Sequence, residues 1–232
     1  MTKFTIALLT LLLPVFVQPV KCQSSSTKIG STLKPDLMKI IKGKGWDVVN
    51  RTVSEINWGD KHGIQFNEAK GEGIAWFKKR NFKDCTVEFD VRGRNLLQKS
   101  FVGLAFQLVG DSRYELIYFR PFNFQSEDPI RRVHAVQYVS IPDFGWQKLR
   151  NDFPGKFEKG IDPAPNPEEW LHARVEIRDR TVSVFVDNAS TPSLVVERLS
   201  DSRRGRLGLW VGDASDGAFA NLEIRTSVEP HK

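Results

Sequence analysis

Phe101-Val102-Gly103-Leu104-Ala105-Phe106-Gln107-Leu108-Val109, then Arg113-Tyr114-Glu115-Leu116-Ile117-Tyr118-Phe119-Arg120 after a short turn, is the stretch whose alternation decides the fold. In the first run Val102, Leu104, Phe106 and Leu108 make one bulky apolar row, while Phe101, Gly103, Ala105 and Gln107 make the other. A period of two marks a strand with one face on a core. Small residues in the opposite row predict free space above that face, where a ligand can lie. The second run sets Tyr114, Leu116 and Tyr118 against Glu115, Ile117 and Phe119. Between it and a third strand over 133–140 lie Arg120-Pro121-Phe122-Asn123-Phe124 and Arg131-Arg132, and the third strand itself carries His134 and Gln137. This part of the chain combines many polar handles with many rings.

The same alternation extends outward in both directions. Over 84–92, Val87, Phe89 and Val91 oppose Glu88, Asp90 and Arg92. Later, Ala173, Val175 and Ile177 oppose His172, Arg174, Glu176 and Arg178, and Val182, Val184 and Val186 supply a further inward row. Shorter runs near 46–51, 63–67, 73–79, 193–198, 206–211 and 218–225 are separated by turn residues. About a dozen short antiparallel strands with almost no helix, apart from 37–42, predict an all-β jelly-roll sandwich rather than a small closed barrel. Phe89, Phe106 and Val184 are its expected core residues. The connection over 141–169 is long, rich in Pro, Gly and rings, and reads as a functional loop.

The first 22 residues read as a secretory signal, with Lys3 ahead of an apolar run too short to span a bilayer. Cleavage is expected before Gln23. Cys22 invites a lipoprotein reading, but Lys21 stands where a lipobox needs a small residue, so ordinary cleavage is preferred. Residues 23–36 read as a flexible leader and 37–228 as one domain. The expected location is therefore secreted or periplasmic, with no membrane attachment after cleavage. Removal of the signal takes two lysines and lowers the formal charge from +6 to +4. That mild basicity, without a basic stripe carrying exposed rings, is no nucleic-acid footprint. Cys85 then remains as the single cysteine, a buried structural thiol by expectation, and no disulfide framework is available.

Several residue groups carry a resemblance: Phe82-Lys83-Asp84 leading into Val87-Glu88-Phe89-Asp90-Val91, the Gly103 strand, Tyr114-Glu115, and the closing series Trp170, Ala173-Arg174-Val175, Val182 to Val186, Gly205, Gly208 and Asn221-Leu222. Over residues 46–225 the chain resembles the concanavalin A-like lectin/glucanase superfamily. Within it, the chain is most similar to secreted bacterial 3-keto-disaccharide hydrolase-like domains, loosely grouped with family 16 glycoside hydrolases. The resemblance implies a carbohydrate-facing concave sheet. The rings of 118–124 and of 144–157 lie outside the family pattern.

A retaining glucanase of that fold needs Glu-x-Asp-x-x-Glu, with its two working carboxyls about 5 Å apart. Here Glu88 and Asp90 are followed by Arg92 and Gly93, and the second glutamate is missing. Glu115 and His134 are the remaining acid–base candidates. Glu115 faces the ligand only if Leu116 and Tyr118 point into the core; otherwise it pairs with an arginine such as Arg131 or Arg132. Gln107, Arg120, Gln137 and Trp146 are the candidate ligand-binding groups. Trp146 and Phe144 either stack on a sugar ring or plug the end of the sandwich. Asp213 and Asp216 form an oxygen-rich turn that is a weak calcium candidate, and no cofactor or metal site is expected. The leading reading is an exported carbohydrate-binding or carbohydrate-processing domain. A hydrolase or lyase acting on 3-keto sugars and a laminin G-like protein-interaction domain are the alternatives.

Overall fold

The computed structural model describes residues 29–227 except Lys79 and Asp111. The expected signal, its cleavage point and Cys22 lie outside the described residues, as does the start of the leader. Among the described residues no helix is long and apolar enough to cross a membrane.

The chain forms two antiparallel sheets packed as a sandwich. The first contains β1 (Ile29–Leu33), β3 (Val53–Trp58), β4 (Lys61–Ala69), β6 (Cys85–Arg92), β11 (Leu171–Arg178), β12 (Thr181–Val186), β13 (Leu194–Glu197) and β15 (Ser215–Ser227). Its order is β13-β12-β11-β6-β15-β4-β3, with β1 also pairing β15. The second sheet contains β2 (Trp46–Val49), β5 (Gly73–Phe77), β7 (Val102–Val109), β8 (Arg113–Phe119), β9 (Val136–Ile141), β10 (Glu158–Lys159) and β14 (Arg206–Val211), in the order β10-β9-β8-β7-β14-β5-β2. Helices are short: α1 (Met38–Ile41), α2 (Pro121–Phe124), α3 (Pro129–Arg132) and α4 (Trp146–Asp152). The all-β sandwich expected from the alternation is therefore the fold.

Phe89, Phe106 and Val184 are fully buried between the sheets, with Val87, Leu104, Ile117 and Leu209. The Cys85 thiol is sealed there too, and burial pushes it up to about 12. Several boundaries differ from expectation. The third strand begins at Val136, so His134 lies in the turn after α3 and not on the strand. Residues 29–33, read as leader, add a strand to β15, where Ser31 N donates to Thr226 Oγ1 at 3.1 Å. The long connection after β9 is not structureless, because it contains α4 and β10, and Glu158 of β10 pairs with Gln137 of β9.

The outer face of the second sheet is also apolar. Ile74, Trp76, Leu116, Tyr118, Val139 and Trp210 alternate with core-facing neighbours and are themselves nearly inaccessible. Strands covered on both faces lose the polar half of their pattern. The space above Gly103 and Ala105, expected to be free, is bounded differently. Gly103 is opposite Tyr118 on one side and Trp210 on the other, and those rings sit 5.4 Å apart. The small residue admits its neighbours, and the two rings make the floor on which anything above must rest.

Candidate functional site

Loops and short helices rise around that aromatic floor and enclose a cleft of about 670 Å³. Leu116, Tyr118, Val139 and Trp210 form its base; α2, α3 and α4 form one wall; the turns at Glu72, at Leu97-Gln98 and at Gly212-Asp213 form the other. The α3 turn is set by Pro129 in its first turn and by Asp128, whose Oδ1 accepts from Ile130 N at 2.8 Å. These devices bring groups from 120–134 over the ends of β8 and β9.

Arg120 is the centre of the polar end. Its guanidinium, almost wholly buried, donates to Tyr118 Oη at 2.7 Å, to His134 O at 3.0 Å, and to Gln137 Oε1. Tyr118 Oη donates to the same Gln137 oxygen at 3.0 Å, and the buried Gln137 Nε2 has no hydrogen-bond partner among the described residues. Burial depresses the Arg120 guanidinium and raises the Tyr118 phenol to about 12. Glu158, nearly inaccessible, receives Arg150 through both oxygens, Nε to Oε1 at 2.9 Å and Nη2 to Oε2 at 2.7 Å. His134 Nδ1 lies 2.9 Å from Glu158 Oε2, out of line for a full hydrogen bond. Burial pushes the His134 imidazole below the ordinary value against the pull of Glu158, and Arg150 and Arg120 add to the depression. Burial alone would raise the Glu158 carboxyl, but hydrogen bonding and charge from Arg150, with His134 and Arg120, hold it below its ordinary value.

Trp146, at the start of α4, is 44% exposed at the mouth of the cleft, with the Arg150 guanidinium 5.1 Å from its ring centroid. At the opposite end Glu72 Oε2 accepts from Trp210 Nε1 at 3.2 Å and from Tyr114 Oη. Asp213 Oδ1 accepts from Gly71 N at 2.5 Å.

Arg120, His134 and Trp146 line one cleft, whereas Gln137 lies fully buried beneath it, holding Arg120 and Tyr118 and out of a ligand's reach, and Glu115 and Gln107 lie elsewhere. Glu115 is opposite Phe106, so it shares the inward face and is fully buried between the sheets. The condition for its facing a ligand fails because Leu116 and Tyr118 point outward. Its arginine partner is neither Arg131 nor Arg132 but Arg198, at 2.9 Å from Nε to Oε2. Gln107 sits in a bulge with φ of 57° and turns away, donating through Nε2 to Phe82 O and Lys83 O, each at 3.2 Å. Phe144 is partly buried beside Ser140 in a separate hollow near Gln107. Asp216 is bound by Arg94 at 2.7 Å, and among the described residues no three His, Cys, Asp or Glu side chains group as a metal site.

Sequence reasoning missed Glu158, Arg150, Glu72 and Trp210. Only Trp210 carried a readable signal, since in the run Leu207, Leu209, Val211 it is the large ring on the outward row.

No protein-family model matches the chain, and no curated protein matches it. Solved structures do. The carbohydrate-binding module CBM66 from Bacillus subtilis aligns at a TM-score of 0.54 with 17% identity, over 77% of this chain and 94% of that one. A Bacillus subtilis protein of unknown function with a galectin-like fold aligns at 0.57 with 12% identity, over 88% and 98%. The exoplasmic/lumenal domain of VIP36, in a form bound to Ca2+ and Man3GlcNAc, aligns at 0.51 with 14% identity, over 82% and 86%. The chain has the galectin-like, concanavalin A-like sandwich fold. At these identities the likeness is one of fold.

Proposed function

We propose that the protein is an exported module that binds a carbohydrate in the cleft above its second sheet. The observation that carries this reading is the exposed Trp146 ring at the mouth of a cleft with an apolar aromatic base and one densely hydrogen-bonded polar end. A pyranose presents C–H groups on one face and hydroxyls around its edge, so a ring above and fixed donors at one end suit both. The sugar-binding neighbours, CBM66 by its name and VIP36 by its glycan-bound form, support the reading. An open cleft of this size also speaks against a protein-interaction domain working through the sandwich rim. The test is a glycan array followed by calorimetry on any hit, with wild type and Trp146→Ala compared. Loss of about tenfold or more in affinity is expected for removal of a central aromatic anchor. A hit that Trp146→Ala binds like wild type would be bound elsewhere.

A second reading, a hydrolase or lyase acting on 3-keto sugars, is favoured by one observation. His134 lines the cleft with its Nδ1 beside Glu158, so a largely neutral imidazole is held ready to accept a proton. Against it, both Glu158 oxygens are committed to Arg150, and the other carboxylates lining the cleft, Glu72 and Asp213, lie at its far end and already accept from Trp210, Tyr114 and Gly71 N. Incubation with 3-keto-disaccharides, read by release of reducing sugar, decides between the two readings.

A further inference from the structure

The polar end of the cleft carries more positive charge than its own acids balance. Arg120, Arg131 and Arg150 line that end, and Glu158 is the carboxylate that Arg120 and Arg150 share. Arg150 occupies both Glu158 oxygens, so Arg120 reaches that carboxylate only at 3.8 Å. Arg131 bonds to Asn123 Oδ1 at 3.2 Å and Phe122 O at 2.8 Å; among the described residues no carboxylate lies within ion-pair distance of it. Asp128, the acid nearest in sequence, is spent capping α3. Arg120 is nearly inaccessible and Arg131 half-buried, and a guanidinium withdrawn from water without an anion is costly in proportion to its burial. At the far end the sign reverses, because Glu72 and Asp213 line the cleft there.

Resting on the carbohydrate reading of this cleft, we infer that its ligand is an oligosaccharide bearing an anionic group, with that group seated at Arg131 and Arg120 and its neutral residues running towards Glu72 and Asp213. The shared chemistry is a small oxyanion on a sugar, either the carboxylate of a uronic acid or a sulfate ester. A planar guanidinium fork matches both, and a carboxylate can accept two parallel N–H bonds from it. The unpartnered Gln137 Nε2 beneath Arg120 marks the same end as short of acceptors. The acidic end makes the expectation directional. A chain charged on every residue would set a second anion against Glu72 or Asp213, so a single terminal charge is preferred over a polyuronate.

The experiment is calorimetry on the whole protein with matched probes: disaccharides and trisaccharides with a terminal uronic acid in gluco, galacto and manno configuration, the carboxyl-reduced form of each, and terminally sulfated analogues. Wild type, Arg131→Gln and Trp146→Ala are compared. One anionic series should bind at least about tenfold tighter than its neutral counterpart, and Arg131→Gln, a surface change in a short helix, should remove most of that gap. Trp146→Ala should weaken charged and neutral forms alike. Preference for the sulfated over the uronic series identifies the source of the oxyanion and supports the inference. Equal binding of charged and neutral forms, a preference untouched by Arg131→Gln, or no binding of any anionic probe overturns it. In the first of those cases a loss in Trp146→Ala keeps the carbohydrate reading alive, whereas binding unaffected by Trp146→Ala removes the cleft from both readings.

Discussion

Glu115 and Arg198 form an ion pair across the inside of the sandwich, the Arg198 Nε reaching Oε2 at 2.9 Å and Oε1 at 3.2 Å, with both side chains essentially inaccessible. Tyr138 Oη donates to Glu115 Oε1 and accepts from Leu199 N at 2.9 Å, while Arg198 Nη1 donates to Asp179 O at 2.9 Å. The pair ties β8 of one sheet to the end of β13 in the other. Removing one member leaves a buried charge without its counterion, which typically costs about 3–5 kcal/mol. Glu115→Gln and Arg198→Met are each expected to lose that much in urea unfolding. Replacing both together should cost less than the sum, since the orphaned charge disappears with its partner. Additive losses would mean that the two side chains act independently.

Gly103 gives a second prediction about the fold. A Cβ there would meet Ile117 O at 2.1 Å and Tyr118 Cα at 2.7 Å, so β8 would have to move. Gly103→Ala should destabilise by about 1–3 kcal/mol, as overpacking does. Phe106→Ala, on the opposite face, should lose about 3–5 kcal/mol by emptying a buried aromatic site. A loss below about 1 kcal/mol in that variant would contradict its full burial.

These two faces show what the sequence could convey. The inward row of β7 was readable because Val102, Leu104 and Phe106 repeat with the pleat. The fate of Glu115 was not, because its direction depends on the register between β7 and β8, and a shift of one residue moves a side chain to the other face. The bulge at Gln107 is likewise set by pairing with β14 and β8, and nothing in its own neighbourhood announces it. Residue type and local density point to Arg120, His134 and Trp146, which the structure brings to the lining of one cleft. Glu158 was invisible, since its role comes from β10 lying alongside β9, a pairing between segments joined by a loop and α4.

Among the described residues, His172 and His134 should titrate in opposite directions. The hydrogen bond to Asp90, 2.8 Å from Nδ1, raises His172 above its ordinary 6.5, with burial opposing and charge from Asp90, Glu88 and Asp187 adding. Burial lowers His134. A raised value means the folded protein holds the proton more tightly, so the His172 contribution is full below the unfolded pKa. It fades as pH rises through the folded one. For His134 the sign reverses: its contribution is full above the unfolded pKa and fades as pH falls through the lowered folded value. NMR titration of the imidazoles between about pH 5 and pH 9 should place the two midpoints on either side of about 6.5. In unfolding experiments His172→Gln should flatten the alkaline decline and leave the acidic limb in place. A decline unchanged in that variant would assign it to another group.

The last prediction separates binding from chemistry at the cleft. Trp146 is exposed and contributes ring area, whereas His134 is half-buried beside Glu158 and contributes a nitrogen that can carry a proton. For a binder, Trp146→Ala should raise the dissociation constant of a confirmed glycan by about tenfold or more, and His134→Ala should change it much less, because truncating a stacked aromatic anchor costs more than losing a partly satisfied imidazole. For an enzyme, His134→Ala should lower kcat by about a hundredfold or more with little change in KM, the pattern left when a general acid or base is removed. Glu158→Gln adds a control, because it removes the charge beside His134 and loosens Arg150 while leaving the Trp146 ring itself in place. In an enzyme it should shift the alkaline or acidic limb of the rate profile along with the His134 pKa; in a binder it should alter affinity for a charged ligand only. If all three variants bind and turn over the confirmed ligand like wild type, the working surface lies away from this cleft.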